Sequence, residues 1–198
     1  MGVSIDEIKK LKELTGVGLT DAKVALVEAD GDFDKALAAM RKKGLTKAEK
    51  RGEREARAGL IDAYVHSGRI GVLVELNCET DFVAKTDDFK ELAHDIAMQV
   101  AAMNPQYISE SDIPKEEKDR KEAELIEAAK SSGKSEEIAK KAVSGQMKKH
   151  FAELTLLNQI YWKDDSQKIE DLIKNKIAKL GENIVIRQIK RIELGVSE

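Results

Sequence analysis

Apolar positions recur first at helical and then at strand spacing along the chain. Ser4-Ile5-Asp6-Glu7 has the spacing of a capping box, with Ser4 as N-cap and Glu7 at N3. Ile5, Ile8, Leu11 and Leu14 then share one helical face, and Gly16 is the expected stop. Val17-Gly18-Leu19 leads into a second helix, capped by Thr20 and carrying Ala22, Ala25, Leu26 and Ala29. Gly31 ends it. Asp32 caps a third helix with Phe33, Ala36, Leu37 and Met40 inward, closed by Gly44. A three-helix unit of residues 1–44 has a thin core, which suits a docking module better than an independent domain. Residues 45–57 are dense in charge and read as a solvated linker helix marking a domain boundary.

The period then changes. Leu60 to Val65 and Ile70 to Leu76 are rich in β-formers, with His66-Ser67-Gly68-Arg69 between them, and the second run alternates apolar and other residues. This pattern predicts a β-hairpin. Phe89, Leu92, Ala93, Ile96, Ala97, Val100 and Ala101 form the stripe of a helix that covers one face of it, broken at Asn104-Pro105. Pro114 is placed at a helix N1. The charged stretch after it, with opposite-sign pairs such as Glu116/Arg120 and Glu117/Lys121, turns at Ser131-Ser132-Gly133-Lys134 into another helix from Ser135. Two such helices predict an antiparallel helical-hairpin arm at about residues 114–150, with Leu125, Ile126, Ala129, Ile138 and Val143 enough for a seam. Ser166 caps a helix bearing Ile169, Leu172, Ile173, Ile177 and Leu180, which Gly181 ends. Ile184 to Leu194 is a strand returning to the sheet. The fold class is α+β, with residues 58–198 as a core and dimerisation domain.

Composition narrows what such a fold does. Of 198 residues 36% are charged, yet the formal net charge is only −3 and aromatics are 4%. A near-neutral balance with few stacking side chains argues against nucleic acid as the main ligand. A single cysteine, Cys78, forms no intrachain disulfide, fits a reducing, cytoplasmic setting and reads as a small strand hydrophobe. Lys9, Lys10 and Lys12 interrupt any secretory apolar run, and no stretch approaches membrane-spanning length.

Enzyme signatures are scarce. Gly16-Val17-Gly18 lacks the third glycine and preceding strand of a dinucleotide site. His66, His94 and His150 are far apart in sequence and give no metal cluster, and no cofactor is expected. His66 and Ser67 with Asp62 would make a triad only if the fold brought them together, and turn polarity explains them better. Thr80-Asp81-Phe82-Val83-Ala84 is more informative. By residue type it reads as a strand end, with Thr80 or Asp81 capping the next element and Phe82 in the core. The alternative is an acidic and an aromatic side chain presented together, as a wedge.

Val74-Glu75-Leu76-Asn77-Cys78-Glu79-Thr80-Asp81-Phe82-Val83-Ala84-Lys85 resembles the signature of the elongation factor Ts family. So do Leu14-Thr15-Gly16-Val17-Gly18-Leu19-Thr20-Asp21-Ala22-Lys23-Val24-Ala25-Leu26, His66 to Val74, and Gly181-Glu182-Asn183-Ile184, in order over essentially the whole chain. The resemblance implies a ubiquitin-associated-like fold for the helical module. It also implies the short form of the family, a homodimer in which a second chain supplies the second core. The implied activity is guanine-nucleotide exchange on the GDP form of elongation factor Tu, without catalysis of its own. Asp81 and Phe82, within Thr80-Asp81-Phe82-Val83, would intrude beside the partner's magnesium. Val17, Gly18, Leu19 and Lys23 would dock on the GTPase domain, and His66 would meet the partner elsewhere. Trp162 and Gln146 depart from the family pattern, which more often has an aliphatic or phenyl residue and a basic residue there.

Overall fold

The computed structural model describes residues 3–15, 17–131 and 136–196. Its elements are α1 (Ile5–Thr15), α2 (Leu19–Glu28), α3 (Phe33–Arg51), β1 (Ala58–His66), β2 (Ile70–Cys78), α4 (Asp81–Ala84) and α5 (Asp87–Met103). After these come α6 (Lys115–Ser131), α7 (Glu136–Leu154), β3 (Ile160–Tyr161), β4 (Asp164–Lys168), α8 (Ile169–Leu180) and β5 (Ile184–Glu193).

The capping box forms as spaced. Glu7 N–H donates to Ser4 Oγ at 3.1 Å and Ser4 N–H donates to Glu7 Oε2 at 3.0 Å. The Ser4 hydroxyl and amide together hold the Glu7 carboxyl below its ordinary range. Leu11, Ala22, Ala25, Leu26, Ala36 and Met40 make a small buried core among α1, α2 and α3. Asp32 caps α3 by accepting from Lys35 N–H at 3.0 Å.

Two boundaries of the first three helices differ from the sequence expectation, and the stop expected at Gly16 lies outside the described residues. Gly18, not Thr20, is the N-cap of α2. Helix α3 does not stop at Gly44 but runs on to Arg51, through part of the expected linker. Gly44 faces α8, where a Cβ would come within 3.1 Å of Ala178 Cβ. Glycine costs a helix about 1 kcal/mol relative to alanine; close packing on α8 outweighs that. Further along, Ala48 is buried in the main core and Arg51 Nη1 donates to the Ile177 carbonyl at 3.1 Å. A helix that begins in the small module thus ends in the main body.

The hairpin is as expected, β1 pairing with β2 from Ala58↔Cys78 to His66↔Ile70. Ser67, Gly68 and Arg69 connect the strands, with Ser67 and Gly68 at positive φ and Arg69 N–H donating to the His66 carbonyl at 2.9 Å. Strand β5 pairs antiparallel with β2, giving the order β1-β2-β5. Val72, Val74, Leu76, Cys78, Ile184 and Ile186 are buried together with Phe89, Leu92, Ile96, Ala97 and Val100 of α5. Thr86 caps α5 and Asn104 ends it in the left-handed conformation. The opposite face of the sheet carries Ile61, Val65, Leu73 and Ile192, each more than half exposed.

Helices α6 and α7 lie against each other, with Val143 buried. Pro114 directly precedes α6 rather than standing at its N1 as expected, its carbonyl accepting from Lys118 N–H at 3.2 Å. Lys121 pairs with Glu124 at 2.9 Å rather than with Glu117, whose carboxylate accepts the Tyr107 hydroxyl. Ser131 is the last residue of α6; the rest of the expected turn, and Ser135, lie outside the described residues. Ser166 does not cap α8. It sits in β4, its hydroxyl on Asp164 Oδ1 at 2.6 Å, and Lys168 occupies the N-cap. The β3–β4 pair escapes sequence reading because a two-residue strand leaves no period to detect.

Asp88 joins α5 to α8 by accepting from Lys179 Nζ at 2.7 Å and Lys176 Nζ at 2.9 Å. These bonds, that of Lys179 foremost, hold the Asp88 carboxyl below its ordinary range. A depressed carboxyl stabilises the fold above its unfolded value, near pH 4, and that contribution disappears as pH falls through the folded value. The partly exposed site limits it to about 1 kcal/mol. Asp88→Asn is therefore expected to lower the melting temperature by about 2–4 °C at pH 7. The difference from wild type should close below about pH 4 in parallel thermal melts.

Candidate functional site

Strand β2 delivers the chain to a one-turn helix at the body's surface. Cys78 is its last residue, fully buried, and its Sγ donates to the Thr80 carbonyl at 3.1 Å. Burial foremost, then the Glu182 charge, pushes the Cys78 thiol up. Thr80 is the N-cap of α4. Its N–H donates to Glu182 Oε2 at 2.9 Å and its hydroxyl to Glu182 Oε1 at 2.6 Å. Ala84 is buried and Val83 is half-buried against the core. With those two side chains inward, a single helical turn must aim the preceding ones outward. Phe82 is 79% exposed, so the expectation that it tucks into the core is overturned. Asp81 is exposed beside it and accepts from Lys85 Nζ at 2.6 Å. That bond and the lysine's charge hold the Asp81 carboxyl below its ordinary range.

A second exposed group lies on the helical module. Val17 is half-buried against the module core, and Gly18 opens α2. Leu19 is half exposed, Lys23 is exposed, and Leu14, Val24 and Val27 are exposed apolar neighbours. Val17 and Gly18 also line a cleft of about 430 Å³ whose other wall is α8, with Leu172, Lys176 and Lys179. His66 sits apart, exposed at the hairpin turn, its Nδ1 3.0 Å from the Tyr64 hydroxyl. The nine residues of β2 separate it from the Thr80 turn, a distance of about 26 Å at strand rise.

The triad alternative finds no geometry. Asp62 Oδ2 is 3.0 Å from His94 Nδ1, while His66 engages Tyr64. Among the described residues no group of three or more His, Cys, Asp or Glu could hold a metal ion, and no helix is long and apolar enough to cross a membrane. Of the two departures from the family pattern, Gln146 is exposed on α7. Trp162 is 47% exposed, its backbone N–H donating to Gln99 Oε1 at 3.0 Å and Lys163 Nζ lying 5.1 Å from the ring centroid. Sequence reading passes over Glu182. It stands inside a recognised motif, but nothing in the residue string says that it reaches Thr80, 102 residues away.

These features define an α+β protein that holds an exposed phenyl–carboxylate pair on a braced turn. A family model described as "Elongation factor TS" matches residues 42–195. Among curated proteins, "Elongation factor Ts" of Thermotoga neapolitana is 51% identical over 98% of this chain and 98% of its own length. Those of Moorella thermoacetica and Herpetosiphon aurantiacus are 49% and 47% identical over 98% of this chain and 96% and 99% of their own lengths. The chain belongs to the elongation factor Ts family.

Proposed function

We propose that the chain is a guanine-nucleotide exchange factor for elongation factor Tu, promoting release of GDP so that GTP can bind. The observation that carries this reading is the exposure of Phe82 beside Asp81 on a turn whose other side chains are anchored. In this reading Phe82 enters the partner next to its magnesium site and Asp81 disturbs the charges there. Asp81 must leave Lys85 to do so, and a solvent-exposed ion pair of this kind opens readily.

Magnitudes require more than the wedge. A nucleotide bound at nanomolar Kd is held by about 12 kcal/mol. Burial of one phenyl group gains about 2–3 kcal/mol. Most of the coupling must therefore come from a broad contact, for which Val17, Gly18, Leu19 and Lys23 on the module and His66 at the far end of the hairpin are the proposed outlying points. Coupling is reciprocal, so GTP entering the partner expels the factor and lets it recycle. The test is release of labelled GDP from the purified GTPase with and without the chain. A basal rate at saturating chain would leave a pure binding module as the reading.

The finer architecture belongs to the same proposal. Residues 1–44 are a ubiquitin-associated-like module, α6 and α7 a helical-hairpin arm, and the working species a cytoplasmic homodimer. The apolar outer face of the sheet supports the dimer, since Ile61, Val65, Leu73 and Ile192 lie open together. Leu73→Lys with Ile192→Lys is expected to shift the chain from dimer to monomer in sedimentation, with its fold unchanged by circular dichroism. A wild-type monomer would refute the dimer.

A further inference from the structure

The segment Gly181-Glu182-Asn183 lies between α8 and β5 and touches three separate parts of the chain. Gly181 ends α8 with φ 83°, its N–H on the Ile177 carbonyl at 2.9 Å, and so turns the chain toward the end of β2. Both Glu182 oxygens are engaged by Thr80, at 2.6 and 2.9 Å. Asn183 is 2% exposed, and its N–H donates to Glu79 Oε1 at 2.7 Å. Its side-chain amide donates to the Arg54 carbonyl at 2.6 Å and the Gly52 carbonyl at 3.3 Å. Arg54 Nη1 in turn lies 3.6 Å from Glu79 Oε1. One short segment therefore connects the turn bearing Phe82, the end of β2, and the chain leaving α3.

A helix of four residues does not hold itself, because nucleation fixes several dihedrals for a single hydrogen bond. The orientation of α4 must come from tertiary ties. Two of them are apolar, through Val83 and Ala84. A polar tie is Glu182, whose two bonds fix the N–H and hydroxyl of the N-cap from which Asp81 and Phe82 depart, while Cys78 Sγ engages its carbonyl. A turn already ordered in the free chain loses less conformational freedom when its phenyl group is inserted into a partner.

We propose that Glu182 is a positioning residue for nucleotide release, acting through Thr80 to hold the Asp81–Phe82 turn in its inserting orientation. The proposal rests on the exchange reading. It predicts a division in the kinetics. The outlying surfaces still dock, so the concentration of chain giving half-maximal stimulation hardly changes. Fewer docked complexes have the turn inserted, so the maximal rate falls.

The experiment is stopped-flow release of a fluorescent GDP from the purified GTPase over a titration of full-length chain, for wild type, Glu182→Ala, Glu182→Gln, Thr80→Val and the Thr80→Val/Glu182→Ala double variant. Glu182→Ala is expected to lower the maximal rate about tenfold, the scale of losing two hydrogen bonds at a half-buried charged acceptor. The half-maximal concentration should move less than about threefold, roughly 0.6 kcal/mol. Glu182→Gln should recover most of the rate, its carbonyl accepting from Thr80 N–H and its amide donating to the threonine hydroxyl. The double variant should be no slower than Glu182→Ala alone, because the two residues act through one contact. Thr80→Val deletes only the hydroxyl bond of an exposed residue, and carries the test if Glu182→Ala fails to fold. Amide hydrogen exchange of the free chain should show faster exchange at residues 80–84 in Glu182→Ala, restored by Gln. An unchanged maximal rate in both Glu182→Ala and Thr80→Val overturns the brace. So does a loss confined to the half-maximal concentration, or additive losses in the double variant. A wild-type chain that leaves GDP release at its basal rate overturns the exchange reading, and this role of Glu182 falls with it.

Discussion

Phe82→Ala should reduce stimulated GDP release by about 30- to 150-fold, the rate equivalent of the 2–3 kcal/mol that burying a phenyl group supplies. The fold should not notice the change. Phe82 is 79% exposed, and substitutions at such positions stay within about 0.5 kcal/mol, or roughly 1–2 °C in melting temperature. That separation makes the variant informative, since a core phenylalanine such as Phe89, fully buried against the sheet, would lose stability and activity together. Asp81→Ala should act in the same direction by a smaller amount, because the wild-type carboxylate must first leave Lys85. The measurement is the maximal release rate at saturating chain, with a thermal melt of each variant alongside. Wild-type exchange by the Phe82→Ala/Asp81→Ala double variant would rule out the wedge.

Gly59→Ala is expected to show the converse, a large loss of stability from one methyl group. Gly59 has φ 152°, and a Cβ built there would lie 2.2 Å from the Leu76 carbonyl oxygen and 2.8 Å from Asn77 Cα. Both neighbours are backbone of the adjacent strand, so no rotamer change relieves the overlap. The start of β1 must move off β2, opening the pairs Ala58↔Cys78 and Gly59↔Asn77. Positive φ in a residue with a side chain adds about 1–3 kcal/mol of strain. The combined loss is about 3 kcal/mol or more, which for a chain of this size is a melting temperature lower by roughly 6–12 °C. Calorimetry on the two proteins decides it, and equal midpoints would contradict the close approach. The disrupted pairs are those nearest Thr80, so nucleotide exchange should fall as well.

How much of the fold and the site is legible in the sequence varies with the range of the controlling interaction. The hairpin, the α5 stripe, the Ser4–Glu7 box and the Asp32 cap are local patterns, and all of them form. Gly44 misleads because glycine signals a helix end only when nothing packs against it, and here α8 approaches within van der Waals contact. Ser166 misleads because a serine beside an aspartate has a competing partner, and Asp164 takes its hydroxyl. Phe82 is the costliest case. Residue type alone sends an aromatic at a strand end inward, the family resemblance implies the opposite, and the burial of Ala84 and half-burial of Val83 in the same turn leave Phe82 facing out.

Periodicity and capping residues along the chain determined the α+β class, the order of the main elements and the presence of the hairpin, because each depends on residues within a few positions of one another. The motif from Val74 to Lys85 determined the family resemblance by its residues alone. Tertiary structure decided that α3 would run through Gly44, that the carboxylate of Glu182 would hold Thr80, and that Phe82 and Asp81 would stand exposed. Each of these turns on which surface is covered by an element distant in sequence, and a side chain's burial is a property of that covering rather than of the side chain.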